Sequence, residues 1–577
     1  MTMEKVKQTW RIWNRKIDGI WAVQKEEKGT IFREKRSCRA RMADFAGNHR
    51  WDLLFVLIMG CFLFYLAWIL PFNKAPDEEM RYLIPQYIYR HGTLPAGWDE
   101  EIRNELWGIS YGFHPILPYI FGGYLMKLVG IFNASDHALL MTARFINILI
   151  GMGFYWYVLQ IGKKLFHSKL FRAFFVALLA MLPQLLYLFV YVNTDAIAVF
   201  SGAMLIYYWL AGLERKWDRT ACTGLAVGVS VCALSYFNAY GYALFSIILF
   251  VLSLIVFYGK KGAKACTGII LKRGIFITVL VFLLTGWWFI RCAILYDGDF
   301  LGLNAPNIYG ELYAQEEYKP SEKLSLDEQD VPLSEMLRPE AEGGMEWLIT
   351  TYRSTIGYFG FFEYPLGLDI YEIHKRLFGL GIAGMFLYAA LGALYYLKAA
   401  WDKIRGKNNL QNGADTLNDK NNAAAKKSGS TVWADFLELI EKPSYSYQNC
   451  KMHPVNFCVL QFSLGCCIII PILLSLYYSY FSDFQPQGRY IMPMIVPVMY
   501  FTAKGIERFM TLFFKKWMVY LMMIPLFYAV LHVFLGAFVS VYIPAFVESL
   551  SFLSDIRFPW LSNIGILNKL ISWLIPG

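Results

Sequence analysis

WDLLFVLIMGCFLFYLAWIL, residues 51–70, runs without a break into PFNKAPDEEMRYLIPQYIYRHGTLP, residues 71–95. The first stretch is nearly free of charge and long enough to cross roughly 30 Å of hydrocarbon as a helix. A carboxylate cluster, Asp77, Glu78 and Glu79, then sits a few residues beyond the end of a first transmembrane helix. Acidic groups in that position face water beside lipid headgroups, where they can act on a substrate that is half in the bilayer and half out. Any loop leaving a membrane carries some charge for solvation alone, so the cluster is weighed against the rest of the chain.

Composition settles the class. Of 577 residues, 57% are hydrophobic and 17% charged, and apolar stretches of about 20 residues recur throughout. The expected fold is an all-α polytopic membrane protein. The net charge of +10 does not point to nucleic acid, because the basic residues lie in short patches between spans, where cytoplasmic loops carry them. Residues 1–50 hold 13 Lys and Arg against 6 Asp and Glu, so this end is expected inside, with the first span as an uncleaved signal anchor. Trp10, Trp13, Ile17, Ile20 and Trp21 share one helical face, which suits a helix lying on the anionic inner leaflet.

Reading orientation onward gives about eleven spans, near 52–70, 138–161, 171–190, 196–213, 221–237, 240–258, 273–291, 375–398, 455–480, 490–506 and 518–541. The segment 114–132 is apolar, but His114, Pro115, Pro118, Gly122, Gly123 and Lys127 interrupt it, and inserting it would turn the basic patch at 162–172 outward. It is expected to lie along the outer surface. The outer regions are then 71–137, the acidic stretch 292–373, and DFQPQGRY at 483–490. The chain divides into a cytoplasmic basic segment (1–50), a transmembrane catalytic module (51–398), a polar linker expected to be disordered (399–452) and a carboxy-terminal transmembrane module (453–577). The ten cysteines show no metal spacing and no outer disulfide framework, and no Walker A sequence is present.

Ionisable groups discriminate further. The spans from 171 to 291 are almost free of charge, whereas ion-coupled transporters keep charges at mid-bilayer for their pathway. The candidates gather at outer helix ends instead: Asp77, Glu78, His114, Arg144, Asn193, Asp195, Arg291, Arg353 and Arg489. That distribution suits surface chemistry better than alternating access.

Several segments resemble the GT-C superfamily of membrane glycosyltransferases. PDEEMRYLIPQYIYRHGTLP at 76–95 resembles its first outer loop, and FHPILPYIFGGYLMKLVGIF at 113–132 is similar to its surface helix. LPQLLYLFVYVNTDAIAVFSGAMLIYYWL at 182–210 resembles its pattern of Asn-x-Asp at an outer mouth. GWWFIRCAILYDGDFLGL at 286–303 and QGRYIMPMIVP at 487–497 look most like a bacterial branch resembling transferases such as aminoarabinose transferase and protein O-mannosyltransferase. The chain departs at SYFNAYGY, 235–242, where members often carry a Lys, and at Glu79, where a small residue or Pro is expected.

The resemblance implies transfer of a sugar from a polyprenyl-phosphate donor to an envelope glycan, lipid or protein, in the cell membrane with the active site external. The alternatives are a transporter or flippase of lipid-linked glycans, or a non-catalytic partner with a glycosyltransferase-like fold. Transfer needs a base for the acceptor hydroxyl and cations for the departing phosphate. Asp77 and Glu78 are the candidate carboxylates. The resemblance implies Asp77 as the base; adjacent residues on a helix point about 100° apart, so Glu78 is expected to orient a substrate or a neighbouring group instead. Pro76 would fit the first helical position, placing Asp77 in the first turn. Arg489 is the expected principal phosphate ligand, with Arg291 supporting and His114 assisting. Asp195 and Asn193 form a possible acceptor or metal site. No cofactor is required on this reading. If a divalent cation such as Mg or Mn is bound, Asp77 and Asp195 would hold it. Otherwise Asn193 and Asp195 cap the helix that follows.

Overall fold

The computed structural model describes residues 44, 46–411, 446–447 and 450–547. The expected amphipathic helix before residue 44 and most of the 399–452 linker lie outside the described residues. Helices dominate. In chain order the first ten are α1 Arg50–Ile69, α2 Glu78–His91, α3 Leu117–Gly130, α4 Asp136–Leu165, α5 Lys169–Ala180, α6 Pro183–Leu188, α7 Asp195–Arg215, α8 Arg219–Ala233, α9 Gly241–Tyr258 and α10 Ala263–Leu295. After these come α11 Ala305–Tyr313, α12 Leu333–Leu337, α13 Trp347–Ile356, α14 Leu368–Gln411, α15 Pro454–Phe481, α16 Ile495–Phe513, α17 Lys516–Ala537 and α18 Ile543–Phe546.

Seven helices among the described residues are long and apolar enough to cross a membrane: Arg50–Ile69, Asp136–Leu165, Asp195–Arg215, Phe237–Lys261, Ala263–Leu295, Pro454–Phe481 and Lys516–Phe546. The expected span 171–190 is broken into α5 and α6, where Pro183 starts a new helix. The expected span 221–237 is the 15-residue α8. The span expected at 490–506 starts as a 3-10 turn, and α16 carries Lys504, Glu507 and Arg508. The segment 114–132 yields α3, 14 residues long and too short to cross, with Phe121, Tyr124 and Leu128 exposed on one side. α14 runs on to Gln411, past the expected boundary at 398.

The expected modules share one core. Leu63 and Leu66 of α1, Phe154 of α4, Leu205 of α7, Met499 of α16 and Val533 of α17 belong to the same buried cluster. α14 and α16 cross through glycines: a Cβ on Gly505 would lie 1.8 Å from the Gly381 carbonyl oxygen. Small residues allow such backbone approach where no hydrophobic effect drives helices together. Not all of the core is helical. Residues 189–194, between α6 and α7, are buried throughout, so their backbone polar groups need protein partners. Asn147 of α4 donates to the Tyr191 and Asn193 carbonyls at 2.5 and 3.1 Å. Asn193 donates to the Leu188 carbonyl at 2.8 Å and accepts from the Ala196 N–H at 2.8 Å. This fixed turn sets Asp195 at the start of α7.

Candidate active site

α1 ends before Pro71, and the chain turns back through two residues in the left-handed region, Asn73 at φ 57° and Asp77 at φ 60°. Asp77 is the N-cap of α2, which begins at Glu78, so Pro76 is not the first helical residue as expected. Left-handed backbone costs a non-glycine residue about 1 kcal/mol, which the surroundings must offset. The Asp77 carboxylate makes no capping bond. It turns instead to Arg489, which lies 412 residues on and donates to Asp77 Oδ2 at 2.6 Å. Arg489 reaches this place because the 3-10 turn Gly488–Met494 packs against α13. The Gly488 N–H donates to Ser354 Oγ at 2.7 Å. A Cβ at residue 488 would lie 2.2 Å from the Thr355 nitrogen, so glycine is required there.

Two acids and two arginines meet at this point. Arg81 donates to Asp195 Oδ2 at 3.0 Å, and its other terminal nitrogen lies 3.7 Å from Asp77 Oδ2. Its guanidinium also lies over the Tyr111 ring, 4.7 Å from the centroid. Arg489 donates to the Tyr490 hydroxyl at 3.1 Å, which in turn donates to Gln485 Oε1. Tyr236 stacks on Tyr490 at 6.0 Å between ring centres. The side chains of Arg81, Asp195 and Arg489 are 2%, 1% and 6% exposed, while Asp77 is 27% exposed and opens the cluster to its surroundings. Burial alone would raise the Asp77 carboxyl, but Arg489 and Arg81 outweigh it and hold the group at about 2. Arg489 Nε and Nη1, Arg81 Nε and Asp195 Oδ1 are buried with no hydrogen-bond partner in the protein. Unmet donors on a buried guanidinium are unfavourable by themselves and favour an incoming anion.

Glu78, the next residue, has a different place from the one expected. It is fully buried and held by Arg144 of α4 through two bonds, Nε to Oε1 at 2.8 Å and Nη2 to Oε2 at 2.7 Å. Its Oε1 also accepts the Val192 N–H at 3.2 Å. Arg144 donates onward to the carbonyls of Ala67, Leu70 and Pro71 at 2.8, 2.6 and 3.1 Å. The pair ties the end of α1, the start of α2, α4 and the buried turn together. Glu78 orients that scaffold, and both of its oxygens are occupied in doing so.

Other expected residues are also distributed differently. Asn193 accepts from the Ala196 N–H at the start of α7, whereas Asp195, expected with it as a cap, is the first helical residue and pairs with Arg81. His114 is half-buried beside Phe237 and Tyr236, with ring centroids 5.7 and 6.2 Å away. Burial, and then Arg81, push its pKa down to about 4. It is a neutral imidazole that can hydrogen-bond a ligand without adding charge. Arg291 donates to the Pro95 carbonyl at 2.7 Å and lies over Trp288. It lines a separate cavity of about 600 Å³ with Leu94, Ala96, Asp99, Trp287 and Ile290. None of its contacts is shared with Asp77 or Arg489. Arg353 lies over the Tyr371 ring. The residue that sequence reasoning missed is Arg81. Its signal is the spacing from Asp77, four positions on, which would put both on one face of the helix expected to start at Pro76.

The residues around Asp77 and Asp195 do not fit a divalent cation. The Arg81 guanidinium lies between the two carboxylates, and Arg489 presses on the first. Such a cation takes six or more hard oxygen ligands, or two carboxylates with several waters. The other groups here are tyrosines and guanidinium groups. Among the described residues, no group of three or more His, Cys, Asp or Glu could hold a metal ion.

No family model matches the chain, and no curated protein matches it. Among solved structures, it resembles the apo form of the Archaeoglobus fulgidus oligosaccharyltransferase, with TM-score 0.38 and 13% identity, over 90% of this chain and 59% of that one. The chain thus spans about three-fifths of the length of that protein, and no residue role is taken from it.

Proposed function

We propose that this chain is a GT-C-type glycosyltransferase. In this reading it moves a sugar from a polyprenyl-phosphate donor to an envelope glycan, lipid or protein acceptor at the outer membrane face. The observation that carries the reading is the Asp77–Arg489 pair: a partly exposed carboxylate against a buried guanidinium with two unmet donors. The chain that holds it has helices long and apolar enough to cross a membrane. Arg489 would take the donor phosphate, to which a charge-assisted bond contributes about 1.5–3 kcal/mol. The acceptor oxygen attacks the anomeric carbon. Its proton goes to Asp77, the bond from that carbon to the phosphate oxygen breaks, and the electron pair leaves with the phosphate on Arg489.

The low pKa of Asp77 gives this scheme an order. A carboxylate held at about 2 is always ionised near neutral pH but is a weak base. When a phosphate engages Arg489, the counter-charge on Asp77 is shared, and its basicity rises. Donor binding thus activates the base. His114, neutral and half-buried beside the cluster, would donate one hydrogen bond to the same phosphate or sugar.

The test is incubation of the purified protein in lipid with a panel of polyprenyl-phosphate sugars, scoring consumption of each and release of polyprenyl phosphate. Consumption of at least one donor, lost in Arg489→Ala, is expected. A panel left intact in the presence of envelope acceptors would count against transfer.

A further inference from the structure

The Arg81 guanidinium lies between two carboxylates brought from different parts of the fold, Asp77 at the start of α2 and Asp195 at the start of α7. Two facing carboxylates in a buried site need positive charge to remain ionised together. A divalent cation is one means, and a fixed guanidinium is another. We infer that Arg81 is the built-in cation of the Asp77–Asp195 pair, so that this site works without a divalent metal and its removal converts the pair into a metal site. The inference rests on the proposed transfer only for what the charge serves. The placement of Arg81 stands apart from any donor.

Three observations carry it. Arg81 is 1% exposed, so it is part of the interior and not a surface side chain that happens to fall nearby. It is fixed from several sides, by Asp195 at 3.0 Å, by Asp77 at 3.7 Å and by the face of Tyr111. And Asp195 Oδ1 is left without a partner. A single guanidinium does not satisfy all four carboxylate oxygens, and a hard cation in its place would have that oxygen to use. With Arg489 also on Asp77, the four side chains already sum to no net charge. A dication added to them would face two guanidinium groups at close range, and Coulomb repulsion in a buried site is strong. Replacing Arg81 with a neutral residue leaves two carboxylates against one guanidinium, a net negative site that draws a cation.

Manganese(II) binding to the full-length protein in lipid, followed by electron paramagnetic resonance and by the unfolding midpoint with no donor present, tests this. Wild type should take up no manganese at this pair, and EDTA should leave its midpoint unchanged. Arg81→Gln should bind one manganese, and a rise in midpoint of a few degrees is expected once the metal is well above its Kd. Adding Asp195→Asn should abolish that binding. Arg81→Lys keeps a positive charge between the acids and should stay metal-free. Manganese held by wild type and released by Asp195→Asn alone would overturn the inference. So would a folded Arg81→Gln protein that takes up none, or an Arg81→Lys protein that binds as well as Arg81→Gln. Because no sugar donor enters the experiment, its failure would leave the transfer proposal standing, and failure of transfer would leave this result standing.

Discussion

Asp77 and Glu78 are neighbours in sequence, and each is paired with an arginine, yet the two pairs are built for different ends. Glu78 and Arg144 are buried, doubly bonded to one another, and further bonded to four backbone groups from α1, the following loop and the buried turn. Asp77 and Arg489 share one bond, the acid is partly exposed, and the guanidinium keeps two donors unused. A saturated pair holds a scaffold. An unsaturated pair leaves donors over for a further partner. The backbone makes the difference: Asp77 is left-handed and outside the helix, whereas Glu78 is the first helical residue and points elsewhere.

The comparison breaks most visibly at Glu78. Removing one partner of a buried ion pair leaves an uncompensated charge and costs about 3–5 kcal/mol. Glu78→Gln should therefore yield little folded protein, read by size-exclusion profile and thermal unfolding in detergent. A Glu78→Gln protein as stable as wild type would show that this pair is not structural. Asp77→Asn should fold, with its effect on turnover instead.

Arg489→Lys comes next. It keeps the charge but loses the planar fork, and a lost charge-assisted bond of about 1.5–3 kcal/mol corresponds to roughly a 10- to 150-fold weaker donor KM. Steady-state kinetics at fixed acceptor would read it. An unchanged KM in both Arg489→Lys and Arg489→Ala would remove Arg489 from donor binding. Arg291→Ala is the internal control, since it occupies a separate cavity, and its donor KM should move far less.

The smallest effects are in pH dependence, and they sharpen the comparison. The folded value for Asp77, about 2, lies below its ordinary value of 3.8. Its ion pair therefore contributes stability that is fully present above 3.8 and is lost as pH falls toward about 2. The gap in unfolding midpoint between wild type and Asp77→Asn should shrink across that window and be constant above it. In kinetics, the acid limb of kcat should lie at higher pH than that of kcat/KM, because only the donor complex shares Arg489 with a phosphate. Coincident limbs would mean that donor binding does not raise the basicity of Asp77.

The sequence carried some of this and not the rest, for physical reasons. Hydropathy located α1, α4, α7, α9, α10, α15 and α17, because burial in lipid demands long apolar runs. The expected eleven spans and the seven candidate helices among the described residues part where helices are short or broken, as at α8 and at Pro183, since apolar composition does not distinguish a crossing helix from a buried short one. The carboxylates at 77 and 78 were visible, but their separation into a partly exposed pair with Arg489 and a saturated buried pair with Arg144 was not. That depends on one left-handed residue and on Arg144, 66 positions away. The Asp77–Arg489 contact spans 412 positions and has no local signature. Arg81 could have been found from its spacing to Asp77.

The most direct test of the central claim is the single-turnover rate of donor consumption by wild type and by folded Asp77→Asn, with donor binding measured separately. General-base catalysis contributes roughly 10²–10⁴-fold. The account predicts a loss of at least that size in the chemical step with donor affinity near wild type. Near wild-type turnover in a folded Asp77→Asn protein would contradict it.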